Sequence, residues 1–136
     1  MGSEADSGSP TVDDVMAVAE FRAALRRFLR ETEHIARKSS LTPQRYTLLL
    51  MIKGSPNGRE ESTVTELAER LQLAQSTVTE LVSRAEEAGL VERKQSLEDA
   101  RVAHLRLTDE GERRLMHSFT GLAKERDALA AVITNL

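Results

Sequence analysis

The chain has 136 residues, of which 40% are hydrophobic and 30% charged, with a formal net charge of −3 and no cysteine. That length fits one domain, or one domain with dimerisation arms. The missing cysteines exclude disulfides, thiolate metal sites and thiol-based peroxide sensing together, and no apolar run is long enough to span a bilayer. No charged-then-apolar leader is visible either, so the expected compartment is the cytoplasm.

Residues 1–12 open with small, polar residues and are expected to be a disordered tail. Residues 13–38 are predicted to form a long helix. Phe21, Leu25, Phe28, Thr32 and Ile35 recur at steps of four and three, making one apolar stripe. The opposite surface carries Arg22, Arg26, Arg27, Arg30, Arg37 and Lys38, and Ser39-Ser40 ends the element. A second helix starts at Thr42-Pro43, where threonine caps and proline fits the first turn. Its run from Tyr46 to Ile52 is apolar nearly all round, which predicts burial, and Gly54 closes it.

Ser55-Pro-Asn-Gly58 reads as a loop. Thr63-Val-Thr-Glu66 has the spacing of a capping box opening a third helix. A fourth helix starts at Gln75 and stops at Gly89. These two helices have the pattern of a helix-turn-helix. Ala68 is small where the helices cross, and Leu67, Leu71, Leu73, Val78 and Leu81 are placed to lock the crossing. Gln72 stands where the turn often has glycine, and Ala74 stands where a hydroxyl cap would normally be. Two short strands follow, residues 90–93 and 102–107, separated by the polar turn Gln95 to Arg101. Thr108-Asp-Glu caps a last helix, in which Leu115, Phe119, Leu122, Leu129, Ile133 and Leu136 form a heptad-like stripe that Arg126 interrupts.

The fold class expected is therefore mainly α with a small β-hairpin wing, a winged helix-turn-helix. Such an arrangement has few uses other than reading a duplex. The exposed face of the fourth helix is Gln75, Ser76, Thr77, Thr79, Glu80, Ser83 and Arg84, whose amides and hydroxyls suit base edges and phosphates. The competing reading is a solvated amphipathic face. In the wing, Arg101 suits a narrow minor groove and Asp99 is placed to hold its guanidinium. An ordinary surface turn with an incidental ion pair is the alternative there.

Leu41 to Tyr46, Thr63 to Leu71, Gln75 to Thr79, Glu87 to Arg93, Glu98 to Arg101 and Leu105 to Gly111 together resemble, in order, the MarR family of winged-helix bacterial transcription regulators. The resemblance covers roughly residues 38 to 115 and implies a homodimer whose first and last helices interlace. The expected organisation is then dimerisation helices at residues 13–38 and 108–136 flanking a DNA-binding domain at residues 41–107. Dimer contacts are expected at Val15, Val18, Phe21, Leu25, Leu122, Leu129 and Ile133. The expected partners are double-stranded DNA with a pseudo-palindromic operator, a second copy of the chain, and a small anionic or phenolic effector that lowers DNA affinity. Arg37, Lys38, Arg45 and Thr63 join the expected DNA contacts. Effector candidates are His34, Tyr46, Met51 and Phe119, with plain core packing as the competing reading of each. Arg22, Arg26 or Arg30 is a further candidate to hold an anionic ligand, with a solvated helix face as the competing reading.

Between Gln75 and Leu107 the chain carries five positive charges against six negative ones, so a DNA face must sort its signs by position. That balance motivates a second reading, a winged-helix module that binds protein. A third is a DNA-binding regulator without a ligand. No membrane partner, cofactor or metal is expected. The three histidines, His34, His104 and His117, have no short ligand spacing. No phosphate-binding glycine loop or nucleophile elbow is present, so no enzyme activity is expected.

Overall fold

The computed structural model describes residues 8–136, so most of the expected tail lies outside the described residues. Helix α1 runs Val12–Lys38. It starts one residue earlier than its stripe suggests because Thr11 and Asp14 close a capping box, with Thr11 N donating to Asp14 Oδ2 at 2.8 Å. α2 is Pro43–Lys53, capped by Thr42, and β1 is a short strand at Glu61–Ser62. α3 is Val64–Leu71 and α4 is Gln75–Glu87. Strands β2 (Val91–Gln95) and β3 (Ala103–Leu107) lead into α5 (Asp109–Gly121) and α6 (Ala123–Ile133).

The sheet has three strands in the order β1-β3-β2, all antiparallel. The expected hairpin is therefore joined by a third strand, with Glu61 opposite Arg106 and Ser62 opposite Leu105. Lys53 braces the base of this wing by bridging Glu60 and Glu112, the latter at 2.8 Å. These two carboxylates raise the Lys53 pKa, Glu112 most.

α2 is central, packing on α1, α3, α4, α5 and β3. Its Leu48, Leu49 and Ile52 meet Leu67, Val78, Val82, Leu90, Leu105 and Leu115 in one core. Each such side chain contributes roughly 1.5–3 kcal/mol by leaving water. The helix-turn-helix lock is Leu67, Ala68 and Val78, all buried, with Leu71 and Leu81 partly buried beside them. Leu73 departs from expectation: it is 43% exposed and lines a groove with Leu29, Thr32, Pro43, Thr47, Leu71 and Leu81.

The two unusual turn residues have distinct consequences. Gln72 takes the left-handed conformation (φ 56°) that glycine would adopt without strain, and its side chain bonds back to Glu69 O at 2.6 Å. Ala74 has the extended backbone of an N-cap but supplies no side-chain bond. Ala74→Ser is therefore expected to raise stability by about 1 kcal/mol. Chemical denaturation checks this, and an unchanged midpoint would show that the α4 N-terminus gains nothing from a cap.

The expected single C-terminal helix is two. Leu122 leaves helical geometry (φ −101°, ψ 8°) between α5 and α6, and α6 packs along α1. This also corrects the expected dimer set. Leu122 is 0% exposed within its own chain, because the break turns it into the core beside Leu115. The other members remain on the outside. Val15, Val18 and Ile133 are exposed, whereas Phe21, Leu25 and Leu129 are half-buried. Val12, Met16, Leu29 and Leu136 extend the same apolar exposure.

On α5, Glu110 accepts from Arg113 at 2.6 and 3.0 Å and from Arg114 at 2.6 Å. Arg113, then Arg114, hold its pKa down to about 2. A depressed carboxylate stabilises the fold above its unfolded pKa and loses that contribution as pH falls through the folded value. Glu110→Gln is thus expected to lower the melting temperature modestly at pH 7, with the gap to the parent closing towards pH 2. Melting curves across that range check it; a gap that stays constant would contradict it.

Candidate nucleic-acid interface

The probe face of α4 stands clear of the core. Val78, Val82 and Ala85 point inward, leaving Gln75, Ser76, Thr77, Thr79, Glu80 and Arg84 exposed and Ser83 half-buried. Gln75 makes only a 3.3 Å contact to Thr65 Oγ1. The absent cap at Ala74 leaves the first N–H groups of α4 without a side-chain partner at the positive end of the helix, a geometry suited to an anion.

The charges sort themselves by pairing. Arg84 donates to Glu80 at 2.6 Å, one turn away on the same helix. Arg93 holds Glu86 with Nε at 2.9 and 3.0 Å from its two oxygens, and Arg106 lies 3.7 Å from Glu92. The acid at Glu80 is thereby neutralised at short range. Exposed pairs of this kind are worth less than about 1 kcal/mol, so either partner can rearrange when a phosphate approaches.

The wing-tip pair makes the most hydrogen bonds of these. Asp99 accepts from Arg101 Nε at 3.1 Å, Nη2 at 3.2 Å and the Arg101 backbone N–H at 3.0 Å. These bonds hold the Asp99 carboxyl below its ordinary range, the side-chain bonds most. The turn itself is set by Ser96, whose hydroxyl accepts from Glu98 N and Asp99 N at 3.2 and 3.3 Å, and by Val102 N donating to Asp99 O at 3.0 Å. The guanidinium is therefore aimed, yet Arg101 remains 89% exposed. Leu97 is fully exposed at the same tip. Sequence reading passed over it because the surrounding turn is polar.

Other expected contacts are placed less tightly. Thr63 uses its hydroxyl to accept Glu66 N at 3.2 Å as the α3 cap. Arg45 lies half-buried in the first turn of α2. Arg37 and Lys38 are exposed at the end of α1, and Lys38 shares a cavity with Arg113, Arg114 and His117 of α5.

The effector candidates differ in burial. His34 is exposed, Met51 partly buried against the core, and Tyr46 5% exposed. Burial raises the Tyr46 pKa while the nearby Arg126 charge lowers it. Arg126, the residue that interrupts the stripe, stacks 3.8 Å over the Phe119 ring and donates to Phe119 O. Neither of the two cavities of about 340 Å³ is lined by any of the four candidates; one lies between α1 and α6, the other is the groove beside Leu73. Arg22, Arg26 and Arg30 line neither of these two cavities. Among the described residues, no three His, Asp or Glu side chains gather as a metal site, and no helix is long and apolar enough to cross a membrane.

A buried helix-turn-helix lock, an outward α4 face and a three-stranded wing with an aimed arginine together define a winged helix-turn-helix protein. The MarR family model matches residues 39–102, the segment that carries the lock, the α4 face and Arg101 and ends just before β3. The chain is 32% identical over 89 residues to the organic hydroperoxide resistance transcriptional regulator of Bacillus subtilis, covering 65% of this chain and 58% of that protein. It is also 32% identical over 85 residues to the HTH-type transcriptional repressor IacR of Pseudomonas putida, covering 62% and 48%. The chain thus spans about half the length of these curated relatives. The crystal structure of the YusO protein from Bacillus subtilis superimposes with a TM-score of 0.62 at 26% identity, covering 93% of this chain and 86% of that one. The likeness to the MarR family is thus carried by the winged helix-turn-helix segment.

Proposed function

We propose that the chain is a sequence-specific DNA-binding transcription regulator, a homodimeric repressor released from its operator by a small molecule. The observation that carries this reading is the pairing of an exposed Gln75–Arg84 face with Arg101 held ready at the wing tip. Two copies joined through the exposed apolar residues of α1 and α6 present two such faces to successive major grooves. The names of the curated relatives, a transcriptional regulator and a repressor, support the direction of the effect. Gln75, Ser76, Thr77 and Thr79 read base edges. Arg84, Arg101 and the open α4 N-terminus take phosphates or the minor groove, while Arg37 and Arg45 add charge at the periphery.

Fluorescence anisotropy with operator-like duplexes tests the reading. Affinity is expected to fall steeply and log-linearly with salt, because each neutralised phosphate releases counterions. Absence of binding to any duplex at low salt would overturn it.

A further inference from the structure

We propose that the cavity between the end of α1 and the middle of α5 binds a small oxyanion, the phosphate or carboxylate group of a metabolite-sized molecule. The cavity is about 300 Å³ and is lined by Lys38, Ser39, Ser40, Arg113, Arg114 and His117. Every charged group on that lining is a cation. Glu110 answers Arg113 and Arg114 together, and among the described residues Lys38 has no ion-pair partner. Three fixed positive charges thus face one carboxylate. The carbonyl end of α1 offsets about half a charge, which leaves a clear positive excess.

The polar groups are held in place before any ligand arrives. Ser118 Oγ donates to Ser39 Oγ at 2.8 Å, and Ser39 lies 2.7 Å from His117 Nδ1. Both serines are buried, and the contact through Nδ1 leaves Nε2 as the ring nitrogen outside this chain of bonds. Arg114 is fixed at both ends, by Glu110 at 2.6 Å and by Ser40 O at 3.3 Å. Donors fixed in this way lose little entropy when an anion binds. The site differs from those the sequence suggested, namely Arg22, Arg26 or Arg30 and the set His34, Tyr46, Met51 and Phe119. Because it joins α1 to the helix that follows the wing, an anion there ties the two parts together. That consequence rests on the ligand-responsive reading above, whereas the binding itself does not.

The test is a titration of the intact chain with inorganic phosphate, and separately with acetate, against chloride at constant ionic strength. The readout is the NMR signal of the His117 ring. A saturable shift is expected, with phosphate alone saturating if the ligand carries a phosphate and both saturating if it carries a carboxylate. Arg114→Gln is expected to weaken the interaction at least about fivefold, and Glu110→Gln to strengthen it by releasing both arginines. Should Arg114→Gln fail to fold, the exposed Arg113→Gln carries the same test. A shift that never saturates, or one identical in parent and arginine variants, overturns the proposal. It is equally overturned if the parent binds no anion while the arginine variants lose duplex affinity in anion-free buffer, since the cations would then serve the DNA backbone. Duplex binding by the parent chain is measured separately, so failure here leaves the regulator reading standing.

Discussion

Arg101→Ala is expected to weaken binding to an operator duplex by about 10- to 100-fold, and by more when both wings of a dimer are engaged. The expectation follows from the wing tip. Asp99 and the turn around Ser96 fix the Arg101 guanidinium before DNA arrives, so little side-chain entropy is lost on binding. The residue is 89% exposed and supports no core contact, so the melting temperature should not move. The slope of log affinity against log salt should become shallower by about one for each charge removed. Asp99→Asn leaves the charge but frees the guanidinium, and its effect should be several-fold smaller. Anisotropy titrations at three salt concentrations check all of this. Unchanged affinity in Arg101→Ala would mean that the wing does not touch the duplex.

Gly111→Ala carries the largest expected loss of stability. Gly111 is buried in the first turn of α5, where the chain leaves the wing. A Cβ there would sit 2.1 Å from Leu90 O and 3.0 Å from Leu90 C. Those are backbone atoms, and Leu90 O already accepts Thr108 N at 3.0 Å, so nothing flexible can give way. Alanine gains about 1 kcal/mol in helix propensity, yet the clash forces α5 off the α4–β2 corner. A net destabilisation of about 2–3 kcal/mol is expected, a fall in melting temperature of about 10 °C for a domain of this size. Thermal denaturation checks it, and a melting temperature equal to or above that of the parent would contradict it. The neighbouring Gly89 has φ 77° with open space at its Cβ position, so replacing it tests backbone strain alone.

Much of the architecture was legible because local chemistry specifies it. Thr42, Thr63 and Thr108 cap α2, α3 and α5, and Gly89 turns left-handed directly after α4. The Gln75–Arg84 face and the Asp99–Arg101 pair follow from helix period and turn spacing. What sequence did not reveal is what depends on distant partners. β1 is two residues long and pairs with β3 more than forty positions away, so no periodicity announces it. Leu122 lies on an apolar stripe, but a stripe does not say whether it meets its own core or another chain. The same ambiguity misplaced Leu73, apolar by type yet left on a groove wall. Tyr46 and Met51 pack in or against the core, whereas Phe119 lies under Arg126, and spacing along a helix does not distinguish these surroundings from a ligand pocket. The cavity lined by Lys38, Arg113, Arg114 and His117 joins segments about seventy-five positions apart, and sequence showed only two unremarkable charged stretches.

Two α4 faces of a dimer are expected to read one duplex together. Selection of bound sequences from a random duplex pool by the intact chain tests it most directly. The expected outcome is enrichment of a pseudo-palindrome whose half-sites lie about one helical turn apart, with the preference altered by changes at Gln75 or Thr79. A pool that stays random after repeated rounds at low salt, or enrichment of one unpaired half-site, would contradict it.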